Sequence, residues 1–295
     1  MNTLVKMNVN TLVKMNVNTG VKMNVNTGVK INRPEAIVLA GGGAKSMSAL
    51  GAIHVLKKAG QLDKAKIFAG TSAGAIVAAG IALDRDPIEM VRKFTDTKYR
   101  ANFDIENFGN AFGLDTGENL FEWIDIVLDR EPHTFQSIYE KTGATLIVCA
   151  TNLSTSKAVY FSRFEHPDMD VKTAIRMSCS LPIYFSAVRH EDEVFVDGAL
   201  TDPFPIDYVS SISKNVLGIR FESNEYKTPM NITRLDEFLK SLVIVSTKDV
   251  FSKDANVFTI DVGDLSVLDF KNPKKLKKSF KVGFTAMQNF LKKND

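Results

Sequence analysis

Ala36–Ala40 is a short, unbroken apolar run, the pattern of a strand buried on both faces of a parallel sheet. Gly41-Gly42-Gly43 breaks it. From Met47 to Ala59 the spacing turns helical, with Met47, Leu50, Ile53, His54 and Leu56 on neighbouring turns and Gly60 placed as a stop. Lys66–Ala69 predicts a second strand, and the glycine-flanked segment Gly70–Gly74 leads into an apolar helix over Ala75–Leu83. That helix is too short to cross a bilayer and reads as buried. Strand, helix, strand and helix at this spacing predict an α/β fold, with a mainly parallel central sheet flanked by helices. Further strands are expected at Thr145–Ala150, Ala158–Phe161, Val194–Val196, Val216–Phe221 and Val257–Ile260. The stretch 95–140 is mixed, and Asp115–Leu128 carries its best helical pattern.

The first 33 residues break with this patterning. Met7–Lys14 reads MNVNTLVK, and Met15–Lys22 and Met23–Lys30 both read MNVNTGVK. A unit this short matches no solenoid period and holds too little apolar mass to bury a core. Residues 1–33 are therefore read as a disordered, low-complexity repeat tail, and 34–295 as one globular domain. No hydrophobic segment follows the tail's lysines as a secretory signal would require. The expected location is cytoplasmic, at most peripheral to membranes.

Charge is distributed unevenly. Lys and Arg total 37 against 34 Asp and Glu, but the basic residues gather at the ends. Residues 1–33 hold five basic residues and no acid, and 271–295 hold eight lysines and one acid. The stretch between them has 24 basic and 33 acidic residues, which speaks against a nucleic-acid groove. At the C-terminal end, Asn272-Pro273 is a plausible helix start. Beyond it Leu276, Phe280, Phe284, Met287 and Leu291 form one stripe, with lysines over the remaining face. This helix, about 273–293, either packs on the core or meets a lipid surface peripherally. Two cysteines, Cys149 and Cys179, make no disulfide framework, and no spacing suggests a metal site.

Gly70-Thr71-Ser72-Ala73-Gly74 fits the G-x-S-x-G nucleophile elbow and stands between an apolar strand and an apolar helix, as that turn requires. By itself it also fits a glycine-rich connection. The Gly41–Gly43 loop can turn several N–H groups towards one anion at a helix N-terminus. A P-loop fails at Ala44 and Leu39, and the dinucleotide pattern fails at Ser46 although Asp63 stands near its acidic position, which leaves a nucleotide-binding oxidoreductase as a minor rival. The transient oxyanion of acyl transfer remains. Lys45 either adds to that field or is an ordinary surface lysine. A histidine base is poorly supported: His54 lies on an apolar helix face, His133 and His166 in loop-like sequence, and His190 at a hairpin tip. Asp197-Gly198, at the end of the Val194–Val196 alternation, supplies a carboxylate instead. Alone, such a pair is usually a turn.

Four blocks now stand in order over about 35–220. They are Gly41-Gly42-Gly43-Ala44-Lys45, the Gly70–Gly74 elbow, Arg176-Met177-Ser178-Cys179-Ser180-Leu181-Pro182 with Phe185, and Asp197-Gly198-Ala199. In these the chain resembles the patatin-like phospholipases, lipid acyl hydrolases that use a Ser-Asp dyad. The resemblance implies a patatin-like domain with Ser72 as nucleophile, Asp197 as its base, and Gly41, Gly42 and Gly43 as oxyanion hole. It also implies a phospholipid or other acyl-lipid substrate, an acyl-serine intermediate, and no metal or other cofactor. Ser46 and Asp202 stand where the family usually has Gly and often Asn, and neither touches the dyad. A hydrolase of soluble esters or thioesters and a catalytically silent lipid-binding protein are the alternatives.

Overall fold

The computed structural model describes residues 31–97, 105–224, 241 and 256–294. Its strands are β1 (Ala36–Leu39), β2 (Ile67–Thr71), β3 (Gly113–Asp115), β4 (Thr145–Asn152), β5 (Lys157–Ser162), β6 (Ile183–Phe185), β7 (Val188–His190), β8 (Glu193–Asp197), β9 (Val216–Glu222) and β10 (Val257–Asp261). The helices are α1 (Ser46–Lys58), α2 (Ala73–Ala82), α3 (Pro87–Asp96), α4 (Ile105–Ala111), α5 (Glu118–Val127), α6 (Phe135–Thr142), α7 (Val171–Ser178), α8 (Ile206–Ile212) and α9 (Pro273–Asn294).

The main sheet runs β10-β9-β1-β2-β4-β8-β7, with β5 also paired to β4. The five strands from β10 to β4 are parallel, whereas β5, β8 and β7 join antiparallel. β1 and β4 are buried along their whole length. Their Val, Ile and Leu content suits strands covered on both faces. Strand order reverses at β1, which has β2 on one side and β9 on the other. Open α/β sheets bind ligands beyond the carboxyl ends of the strands at such a point. The triple glycine follows β1, and Ser72 follows β2.

Register places the last element of the site. β2 pairs with β4 as far as Thr71↔Cys149, and β8 takes up β4 one residue on, with Ala150↔Asp197. β5 already occupies Ile147 to Asn152 on the other edge of β4. β2 and β8 therefore share one edge and meet end to end, bringing Ser72 and Asp197 together. Gly198 is required at this junction, because a Cβ there would lie 2.3 Å from the Cys149 carbonyl oxygen.

The C-terminal helix settles one alternative. Leu276, Phe280, Met287 and Phe290 of α9 are buried, and Phe284 and Leu291 pack partly buried against the core. The helix crosses α1 closely: a Cβ on Gly283 would lie 1.8 Å from the Ser48 oxygen, and one on Gly51 2.1 Å from that of Phe280. The apolar stripe is thus occupied by protein, not turned to lipid, and the exposed lysines line the outer side. Residues 1–30 of the expected tail lie outside the described residues. Its last three already belong to the domain: Ile31 packs on the core, and the Asn32 and Arg33 carbonyls accept from Asn215 Nδ2 at 3.1 Å. Cys149 and Cys179 are free and buried.

Candidate active site

Ser72 sits between β2 and α2 with φ 54° and ψ −131°, a backbone conformation that costs a non-glycine residue about 1–3 kcal/mol. The flanking glycines make the turn possible. A Cβ on Gly70 would come within 2.5 Å of Gly74 backbone, and one on Gly74 within 2.6 Å of the Leu39 and Ala40 oxygens. The surrounding bonds hold the turn: Ala75 N–H donates to the Ser72 carbonyl at 2.8 Å, and Thr71 Oγ1 donates to the Asp202 carbonyl at 2.9 Å.

The Ser72 hydroxyl donates to Asp197 Oδ2 at 2.7 Å. The other carboxylate oxygen, Oδ1, accepts the Ala199 N–H at 2.9 Å. Asp197 is buried, and burial pushes its carboxyl from 3.8 to about 7, against the opposing pull of the hydrogen bonds from Ala199 and Ser72. Desolvation penalises the charged form, so this aspartate is a much stronger base than one in water. The neighbouring Cys179 thiol is pushed up by burial and then by the Asp197 charge. The thiol therefore stays protonated, the unreactive form.

Ser72, Asp197 and Gly41, Gly42 and Gly43 line one cavity of about 320 Å³. The glycine loop is tied down on both sides: Gly41 N–H donates to the Pro203 carbonyl at 2.9 Å and Ala44 N–H to that of Val267 at 3.0 Å. Of the three glycines expected to form the oxyanion hole, Gly41 thus has its N–H engaged within the protein. The Gly42 and Gly43 N–H groups carry no hydrogen bond to the described residues. Gly43 has φ 54°, and a Cβ there would lie 2.2 Å from the Val267 oxygen, so the loop admits no side chain at that position.

Lys45 is buried, 3% exposed, and its Nζ donates to Ser223 Oγ at 2.9 Å. The surface-lysine alternative is therefore wrong, and its charge faces the cavity. The hydrogen bond spans 178 residues, beyond the reach of any local pattern. No histidine lines the cavity. His54 and His133 are buried, and burial lowers the pKa of both. His166 stands against the Phe161 ring and is lowered likewise, while His190 ends β7 at the hairpin. Of the two departures from the family pattern, Ser46 is buried at the start of α1. Asp202 accepts from Tyr160 Oη at 2.7 Å, away from the cavity. No group of three or more His, Cys, Asp or Glu among the described residues could hold a metal ion.

The cavity wall beyond Ser72 and Asp197 is apolar and aromatic, with Ile76, Leu120, Trp123, Leu181, Phe185 and Phe270. Trp123 is wedged there, stacked on Phe94 at 5.0 Å and edge-on to Phe270 at 5.6 Å. Sequence reasoning missed this wall, because its members come from separated segments and read singly as core residues.

The chain is similar to proteins of several kinds of organism. A probable lipid hydrolase of Invertebrate iridescent virus 6 is 29% identical over 182 residues, which are 59% of this chain and 62% of that protein. The human patatin-like phospholipase domain-containing protein 4 is 25% identical over 251 residues, 83% of this chain and 92% of its own. Among solved structures, VipD from Legionella pneumophila shares the fold with a TM-score of 0.57 at 16% identity, over 89% of this chain and 67% of that one. The family model for patatin-like phospholipase matches residues 37–210, a span that holds the glycine loop, Ser72 and Asp197. The chain belongs to the patatin-like phospholipase family.

Proposed function

We propose that the chain is a serine acyl hydrolase that cleaves fatty-acyl esters of phospholipids or other acyl lipids. The observation that carries this reading is the 2.7 Å bond from Ser72 Oγ to a buried carboxylate whose pKa stands at about 7, at the edge of an apolar cavity. Ser72 attacks the ester carbonyl as its proton passes to Asp197 Oδ2. The Gly42 and Gly43 N–H groups receive the developing oxyanion, a contribution of roughly 3–4 kcal/mol for a strong donor. Collapse expels the alcohol, which takes the proton from Asp197, and leaves acyl-Ser72. Asp197 then deprotonates the water that releases the fatty acid. The aromatic wall suits an acyl chain, since burying each methylene contributes about 0.8 kcal/mol. The same reading gives the lysine face of α9 a role in attracting anionic lipid.

Release of fatty acid from micellar phospholipid tests the proposal. Ser72→Ala and Asp197→Asn each abolish it nearly completely in folded protein, and their losses do not add, because the two residues act as a unit. Replacing any of the four histidines leaves most of the rate. A folded histidine variant as inactive as Ser72→Ala overturns the dyad. Higher efficiency on short nitrophenyl esters than on micelles would favour a soluble ester substrate.

A further inference from the structure

Cys179 and Leu181 of the Arg176–Pro182 block line the cavity, but its serines and arginine have no part in the chemistry above. α7 ends at Ser178, whose side chain is fully buried. Its hydroxyl accepts the backbone N–H of Ser72 at 2.8 Å and donates to the Cys149 carbonyl at 2.5 Å. Cys149 is the β4 residue paired with Thr71, the last residue of β2. The sheet ladder stops here because the chain turns out of the sheet at Ser72, and the Ser178 hydroxyl bridges the opening. Two residues further on, the Ser180 carbonyl accepts the Asp197 N–H at 2.9 Å. One turn of chain thus grips the backbone of nucleophile and base together. Arg176 steadies that turn from within, its guanidinium donating to Ser180 Oγ at 2.7 Å and to the Thr116 and Ser186 carbonyls at 3.2 Å.

We infer that Ser178 is a positioning residue for the acyl-transfer reaction: its hydroxyl holds the strained Ser72 backbone at the distance from Asp197 that proton transfer needs. Both capacities of that hydroxyl are used, accepting on one side and donating on the other. An alanine leaves the Ser72 N–H and the Cys149 carbonyl unpaired in a place water does not reach. The elbow then has freedom to relax away from its positive φ. The substrate cavity is not lined by Ser178, so binding is spared while the reacting atoms lose their alignment. A displacement near 1 Å costs about 100-fold in rate.

The inference rests on the acyl-hydrolase reading, and one experiment separates the two. Ser178→Ala, Ser178→Thr and Ser178→Cys are compared with the parent for kcat, for KM and for the rate at which an alkyl fluorophosphonate labels Ser72, each per folded chain. Ser178→Ala is expected to lower kcat and the labelling rate by roughly 30- to 100-fold, with KM within about threefold. Ser178→Thr, which keeps the hydroxyl, recovers most of the loss, and Ser178→Cys falls between. A purely structural serine would lower melting temperature and leave the rates of the folded fraction at parental values. A parent that is not labelled removes the acyl-hydrolase reading. A labelled parent together with a folded alanine or cysteine variant at the parental rate removes the role of Ser178 alone.

Discussion

Asp197 combines two demands that pull against each other. In the proposed reaction it must be ionised to take the Ser72 proton, yet its burial favours the neutral acid, and the balance stands at about 7. The ester-cleavage rate, as kcat/KM on an uncharged ester, is expected to rise about tenfold per pH unit below that value and to level off above it. The same shift has a consequence for folding. The unfolded carboxyl titrates near 3.9, below the folded value, so the folded state holds the proton more tightly. The resulting stabilisation is complete below about pH 4 and is lost as pH rises through about 7. Asp197→Asn keeps an acceptor for Ala199 and a donor for Ser72 without the charge. Its melting temperature is expected to exceed the parent's at pH 8 by more than at pH 5, with activity expected to be lost. Equal differences at the two pH values would show that Asp197 titrates as an ordinary aspartate. Ser72 and Asp197 were legible in the sequence because each sits in a local pattern, a glycine-flanked turn and a strand end. The Gly41 N–H and the Lys45 ammonium were not. Their partners, Pro203 and Ser223, lie far along the chain and are brought close only by the fold.

Elements legible in the sequence are those with a marked local pattern, an apolar run between turn residues or a helical spacing. β1, β2, β4, β5, β9 and β10 and helices α1 and α2 fall within a few residues of their expected spans. β3, β6 and β7 have three residues each and do not stand out from the sequence around them. The helix expected from Asp115 starts at Glu118, because Asp115 closes β3 and Gly117 takes a φ of 83° ahead of the first turn. The α9 stripe was recognised but not its occupant, since Gly51 and Gly283 mark the crossing only once both helices are seen in contact. That crossing also supports the site. Ser48 Oγ donates to the Lys45 carbonyl at 2.8 Å and Ser279 Oγ to the same oxygen at 3.5 Å, so α1 and α9 together brace the end of the glycine loop. Gly283→Ala drives a methyl group into the Ser48 backbone, which has no rotamer to yield. Overpacking of this kind costs about 1–3 kcal/mol, or roughly 2–4 °C in melting temperature per kcal/mol for a large domain. Thermal unfolding is expected to show a fall in that range, with kcat reduced as the loop shifts. An unchanged melting temperature would mean that α9 can move outward freely.

At the scale of the whole molecule, the charge asymmetry read from the sequence takes a definite form. α9 turns Phe280, Met287 and Phe290 to the core and keeps Lys274, Lys275, Lys278, Lys292 and Lys293 exposed, with Lys277 and Lys281 half-exposed. Insertion of this helix into a leaflet would need its apolar face, which α1 already occupies. Any attraction of this helix to lipid is therefore electrostatic, acting across water from a folded surface. Lys275 is partly spent, because its Nζ lies 2.8 Å from Asp269 Oδ1. Lys274, Lys277, Lys278 and Lys281 have no ion pair to the described residues. A lysine near an anionic membrane contributes about 1 kcal/mol, and the attraction decays over a Debye length of about 8 Å at physiological salt. Changing these four to Gln is expected to weaken binding to phosphatidylserine-containing vesicles by at least tenfold at low salt. Binding to neutral vesicles and turnover of a soluble ester stay at parental values, because neither the cavity nor the α1 contact is altered. In 0.5 M salt the parent falls towards the variant, as screening demands. Equal binding of parent and variant to anionic vesicles at low salt would assign α9 to packing alone, and the route to a lipid surface would then lie on another face of the molecule.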